Sequence, residues 1–277
     1  MELDDIGAQI ERRLRERRLT VPVLPSVAAM VLAVINDPGE DVSALSEGIR
    51  RDPALAGHVV KYANAPLLRA GAPVLTVGQA IARLGMRTVA DVVFAACIGP
   101  RLFPVPLHAA RIQRIWQESL ATAIWAYEIN LLREHKLVGN FLCGLLHQVG
   151  QPVVLQAVQD ILGPAPKPSP SEEDIETLLR RFGTRAALDV ATRWRLPEPV
   201  VEVIEYLENP AAAPRHGVLV AGVSAARVLA VLSLDGEVLE PSRLLDVPRI
   251  AAAGLDEAAL NRLAAQQPAV LEILAQG

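Results

Sequence analysis

From Phe141 to Val149 the apolar residues Phe141, Leu142, Leu145, Leu146 and Val149 fall at helical spacing. That pattern predicts a buried helix with His147 near its C-terminal end. Residues 4–18 place Ile6, Ile10 and Leu14 on one face of a charged helix, which reads as a helix docked on the body of the protein. The longest pattern runs from about 108 to 134, where Ile112, Trp116, Leu120, Ala123, Tyr127 and Leu131 form a stripe expected to be core. Val218–Leu234 is apolar and helical throughout, and a last amphipathic segment ends near Ala275.

Breakers and caps divide the remainder. Pro22 and Pro25 interrupt the chain, and Ser26 reads as the N-cap of a helix carrying Val27, Met30, Val31, Val34 and Ile35. Asn36-Asp37-Pro38-Gly39 is a turn, and Asp41 caps a short helix through Ile49. Asp52-Pro53 opens the next helix with a capping acid and a proline at its first position; that helix runs to Asn64, and Pro66 stops it. Helices follow at about 76–84 and 88–98, separated by Gly85. Residues 163–170 form a proline-rich connection, and Ser171 with Asp174 makes a capping box for a helix at about 172–182. Trp194-Arg195-Leu196-Pro197 starts a helix over 198–208. Asn209-Pro210 and Pro214 mark a joint, Asp235-Gly236 a turn, and Asp256 caps the last segment.

Composition narrows the class. The chain has 277 residues, 51% of them hydrophobic and only 4% aromatic, so a large aliphatic core can form. A net charge of −4 with no long run of one sign gives no electrostatic case for nucleic acid. Cys97 and Cys143 lie in apolar surroundings without metal-type spacing and read as core thiols, a disulfide between them being left open. The mixed-charge N-terminus is no signal peptide, and no uninterrupted apolar run reaches the ~20 residues a membrane helix needs. The expectation is a soluble, cytoplasmic protein.

Four short motifs then carry a resemblance. Leu24-Pro25-Ser26-Val27, Asp52-Pro53-Ala54-Leu55, Tyr62-Ala63-Asn64-Ala65 and Ala80-Ile81-Ala82-Arg83-Leu84-Gly85 resemble, in order and spacing, the N-terminal half of the HDOD family. The helix Leu145-Leu146-His147-Gln148-Val149-Gly150-Gln151 and the Trp194 turn continue it, so the likeness covers about residues 20–210. HDOD proteins are similar to the HD phosphohydrolases, whose corresponding run is Leu-Leu-His-Asp-Ile-Gly-Lys, with the adjacent His and Asp holding metal. Here the aspartate is Gln148 and the lysine is Gln151.

The other ligand positions that the resemblance implies are also changed. The upstream histidine corresponds to Glu118, and the later His-His pair falls near Tyr206-Leu207. No histidine lies between His147 and His216, and no aspartate between Asp189 and Asp235. One histidine, with Glu118 beside it, leaves a divalent ion short of ligands and of compensating charge. The bland reading of His147, a helix-end histidine kept for packing and a hydrogen bond, is therefore preferred, and Gln148 can satisfy its amide without a metal. His58 reads as solvated or half-buried, and His108, His135 and His216 as surface residues. Ser119 lacks a nucleophile elbow, Arg50-Arg51 and Arg180-Arg181 read as solvated charges, and there is no glycine-rich phosphate loop.

The resulting expectation is an all-α protein of two lobes: an N-terminal helical lobe (1–105), a degenerate HD-like lobe (106–215) and a C-terminal helical extension (216–277). The resemblance implies a non-catalytic module of bacterial signal transduction, with no cofactor or metal. It would act on signalling proteins such as response regulators or cyclic-dinucleotide enzymes, with neither nucleic acid nor membrane as partner. With no receiver or cyclase-like domain recognised in the sequence, its input is expected from a separate partner or a ligand pocket. A residual inter-lobe pocket is expected near Glu118, His147, Gln148 and Gln151. The alternatives are a diverged metal-dependent phosphohydrolase, or a nucleotide or small-molecule sensor without turnover.

Overall fold

The computed structural model describes residues 3–36, 42–65, 72–133, 137–163 and 170–276, and among them every regular element is helical. In chain order these are α1 (Leu3–Arg15), α2 (Ser26–Asn36), α3 (Val42–Arg51), α4 (Pro53–Ala63), α5 (Val77–Cys97), α6 (Ala109–Leu131) and α7 (Asn140–Leu146). Then come α8 (Gly150–Leu162), α9 (Glu172–Trp194), α10 (Glu198–Tyr206), α11 (Gly217–Leu234), α12 (Pro241–Leu244), α13 (Pro248–Ala252) and α14 (Glu257–Gln276). Short 3₁₀ turns lie at Pro100–Leu102, Pro106–His108 and Pro210–Ala212. The all-α expectation holds. The turn at Asp37-Pro38-Gly39, the Asp41 cap, Pro66, His135 and the proline connection over 164–169 lie outside the described residues.

Several caps behave as the sequence predicts. Asp52 accepts hydrogen bonds from the amides of Ala54 (2.9 Å) and Leu55 (3.2 Å), with Pro53 at the first helical position. Ser171 and Asp174 form a reciprocal capping box, and Asp256 accepts from the amide of Ala259 at 2.7 Å. Gly85 adopts φ +77°, a conformation open to glycine, and breaks α5 where a boundary is predicted. Ser26, by contrast, is the first residue of α2, where the amide of Ala29 bonds to the carbonyl of Pro25. The helix beginning at Glu172 does not stop at 182 but continues to Trp194. Its glycine, Gly183, lies buried at a helix–helix contact instead of ending the helix. The short helices α12 and α13 lie in a stretch for which no helix is predicted.

Packing builds a core around α6, which lies along α11 over much of its length, with α7 against both. α8 lies on α9, and α2 to α4 pack with α5. Trp125, Phe94 and Phe182 are fully enclosed, and Phe103, Phe141 and Trp194 are also buried, in a mostly aliphatic interior. The predicted stripe on α6 divides: Ile112 and Ala123 are buried, Leu131 is exposed, and Trp116 and Leu120 are half-buried against a groove. α11 is long and apolar enough by composition to cross a bilayer, and 61% of it is buried within the fold.

The quoted motifs turn out to be joints between helices. The amide group of Asn64 accepts from the backbone N–H of Val74 (2.8 Å) and donates to the carbonyls of Val74 (2.8 Å) and Val60 (3.0 Å). This clamps the end of α4 to the approach of α5, and Arg83 adds a bond to the carbonyl of Ala63 at 3.2 Å. The indole N–H of Trp194 donates to the carbonyl of Pro22 (2.9 Å), and the Asn36 side chain to the carbonyl of Arg195 (3.0 Å). Each joint satisfies backbone groups left over at helix ends, which must be paired when they are not hydrated.

Candidate functional site

α7 is held in place by asparagines. Asn130 exchanges hydrogen bonds with both the amide (2.8 Å) and the carbonyl (3.0 Å) of Leu137, and the buried Asn140 donates to the carbonyl of Ala126 at 3.0 Å. α7 meets α6, and α8 meets α9, at backbone distance. A Cβ on Gly144 would sit 2.7 Å from Cα of Ala123, and one on Gly150 only 2.1 Å from the carbonyl oxygen of Gly183. Only glycine fits at either place. His147 therefore emerges at the end of α7, wedged among packed helices, and is 6% exposed.

Its chemistry follows from that placement. Nδ1 lies 2.7 Å from the carbonyl of Gly144, which can only accept, so the proton sits on Nδ1. Nε2 is left with a bare lone pair, buried and without a hydrogen-bond partner. Burial first, and the positive charge of Arg227 second, push the imidazole pKa down to about 3. His147 is neutral across the physiological range.

Gln148 points the other way, into α6. Its Nε2 donates to the carbonyl of Ile115 (3.0 Å) and to Oγ of Ser119 (3.2 Å), while its Oε1 accepts from Nε2 of Gln151 at 3.2 Å. Both donors and one acceptor are spent within the protein. Glu118 takes part in neither cluster: its carboxylate accepts from Nε of Arg114 at 2.7 Å, and Arg114 also reaches Asp235 at 2.6 Å. The four residues singled out in the sequence thus sort into Gln148 with Gln151, His147 against its own helix, and Glu118 in an ion pair. Among the described residues no three of His, Cys, Asp and Glu come together as a metal-binding group.

The principal opening lies elsewhere. A groove of about 550 Å³ runs between α4, α5 and α6, and Ile273 of α14 lies on its border. His58, Lys61, Tyr62, Arg101, Gln113 and Trp116 supply its polar lining, and none of Glu118, His147, Gln148 and Gln151 is part of it. The sequence reading assigned Trp116 to core packing and His58 to a solvated or half-buried position; the signal it missed was cations and aromatics lining one groove from separate elements, which only the fold brings together. Beneath Tyr62 lie two buried carboxyls, Asp91 and Glu128, each with an oxygen that finds no hydrogen-bond partner. Burial pushes both up to about 7. Cys97, a free thiol on the groove wall, is raised to about 11 by burial and so is a poor nucleophile at neutral pH; Cys143 is free and fully buried.

An all-α fold with a histidine at the end of an enclosed helix, followed by a glycine that admits a neighbouring backbone, defines an HD-like helical protein. The HDOD domain model matches residues 21–210, and the chain belongs to the HDOD family. A Geobacter sulfurreducens HDOD domain protein of unknown function superposes with a TM-score of 0.67 at 21% identity, covering 99% of this chain and 97% of that one. A Shewanella amazonensis protein provisionally named a metal-dependent phosphohydrolase gives 0.67 at 19% identity over 95% and 99% of the two chains. A Marinobacter aquaeolei protein provisionally named a signal transduction protein gives 0.63 at 20%, over 99% and 66%. An uncharacterized protein of Treponema pallidum is 24% identical over 246 residues, 86% of this chain and 47% of its own length. The chain therefore spans about half the length of that relative.

Proposed function

We propose that this chain is a non-catalytic signalling module that acts by binding partner proteins, of the kind that a response regulator or a cyclic-dinucleotide enzyme would supply. The observation that carries the reading is Gln148. At the position where the HD enzymes hold metal with a carboxylate, this chain has an amide whose donors are committed to Ile115 and Ser119. A cation placed there would meet an N–H group, and His147 would offer it a single neutral nitrogen. The signal-transduction name of the Marinobacter neighbour agrees with this reading. The helical lobe of 1–105, the HD-like lobe of 106–215 and the helices of 216–277 would then serve as binding surfaces.

Metal content of the purified protein by mass spectrometry, as isolated and after incubation with manganese, iron, nickel and zinc, tests it. Less than one-tenth of an equivalent, approximately, in the parent and in His147→Ala alike is the expected result. Stoichiometric metal lost in His147→Ala, together with release of phosphate from a phosphate ester, would overturn the reading in favour of a phosphohydrolase. Partner capture from a native lysate of the source cell then identifies what the module binds.

A further inference from the structure

We propose that the groove between α4, α5, α6 and α14 is a binding site for a small aromatic phosphate of mononucleotide size. Its volume of about 550 Å³ falls within the range of small-molecule clefts, roughly 300–1,000 Å³. Its walls combine two chemistries. Tyr62, Trp116, Leu120 and Phe141 offer flat and apolar surface, while Lys61, Arg101 and His58 bring positive or protonatable groups to the same space. Among the described residues no carboxylate lines it, although the chain as a whole carries a net charge of −4.

The second observation concerns partners. The guanidinium of Arg101, the imidazole of His58, the amide of Gln113 and the indole N–H of Trp116 make no hydrogen bond or ion pair with any described residue. Most other arginines among the described residues are paired with a carboxylate or a carbonyl: Arg111, Arg114, Arg185, Arg193, Arg215, Arg227 and Arg249 are examples. An unpaired arginine beside an unpaired indole, on a concave surface, is an arrangement that recognises a planar ring bearing an anion. The ring stacks on Trp116 or Tyr62, and the phosphate takes the charge-assisted bonds from Arg101 and Lys61. The proposal goes beyond the signalling reading and does not rest on it: a partner-binding module with an empty groove, or an occupied groove with no partner, are separate results.

Trp116 makes the test direct, because the other two tryptophans, Trp125 and Trp194, are buried. AMP and GMP are titrated into the full chain while tryptophan fluorescence is followed, with adenosine and inorganic phosphate as the two half-ligands, and calorimetry supplies the Kd. Saturable quenching by a nucleotide is expected, with each half-ligand at least about 10-fold weaker. Arg101→Ala should weaken the nucleotide roughly 10- to 100-fold, the worth of a charge-assisted hydrogen bond, at an unchanged melting temperature. Trp116→Leu should abolish the signal and, by calorimetry, weaken binding. His147→Ala should leave binding as it was. No saturable binding of either nucleotide at millimolar concentration, or binding indifferent to both Arg101→Ala and Trp116→Leu, overturns the proposal. The bound nucleotide recovered unchanged separates recognition from turnover.

Discussion

The region around His147 and the groove beside Trp116 are both lined by α6, yet they are physical opposites. Around His147 the backbones of neighbouring helices touch, side chains are enclosed, and polar atoms are mostly spent on one another. Along the groove the side chains stand open and several donors have nothing to bind. The HD motif maps to the first region, where the helices are closely packed. Residues able to meet a ligand lie in the second, on helices whose sequences carry no named motif for it. Likeness to an enzyme family locates where a site would be in that family; in this chain Gln148 there is bonded to Ile115, Ser119 and Gln151.

The sharpest way to break the contrast is Gly150→Ala. The new methyl would fall 2.1 Å from the Gly183 carbonyl and 2.3 Å from the Ala187 nitrogen, both backbone atoms that cannot turn aside. A loss of about 3 kcal/mol or more is expected, seen as a drop of roughly 5–10 °C in thermal midpoint. A midpoint within a degree of the parent would mean that α8 and α9 are not in backbone contact. Next comes Gln148→Asp, which restores the family's carboxylate. It places an acceptor against the carbonyl of Ile115 and should cost about 2–4 kcal/mol at pH 8, easing at pH 5 as the acid takes up a proton. Equal stability with stoichiometric uptake of manganese would show the opposite, that the locus still accepts metal.

A smaller effect, with a sign set by pH, belongs to Asp91, which lies beneath Tyr62 between the two regions. Its folded pKa is raised to about 7, so the fold holds the proton that the unfolded chain releases near pH 4. The stability it contributes is therefore complete at low pH and is lost as pH rises through about 7. Asp91→Asn, which mimics the protonated acid, should match the parent near pH 4 and exceed it by roughly 1–3 kcal/mol at pH 8.5, by urea unfolding at the two values. A constant difference between the two variants across that range would remove burial as the cause. The smallest effect is expected in the groove: Arg101→Ala should change stability by no more than about 0.5 kcal/mol, because the side chain has no partner to lose.

Much of the fold was legible in the sequence because local rules decided it. Asp52-Pro53, Ser171 with Asp174, Gly85 and the periodicity of Phe141–Val149 all work within a turn or two of chain. The misses have a common cause in contacts from afar. The helix from Glu172 runs on through Gly183 because a second glycine, Gly150, meets it there. Two residues of the α6 stripe, Trp116 and Leu120, face a groove because α4, α5 and α14 stop short of filling it. At the site, the sequence was enough to show that Gln148 is not an aspartate and could satisfy itself. The pairing of Glu118 with Arg114 is itself an i,i+4 contact within one turn, a local signal left unread, whereas the shared lining of one groove by Arg101 and Trp116 is set only by the fold.

Glu202, buried at 5% exposure on α10, carries a consequence of a different kind. Its carboxylate accepts the amides of Arg215 (2.7 Å) and His216 (3.0 Å), the residues that lead into α11, where no nearby side chain caps the helix. The residues that lead into the central helix are thus held from thirteen and fourteen positions upstream. The approach to α11 is therefore held from α10, across the turn at Pro210–Ala212, and not by a cap within α11 itself.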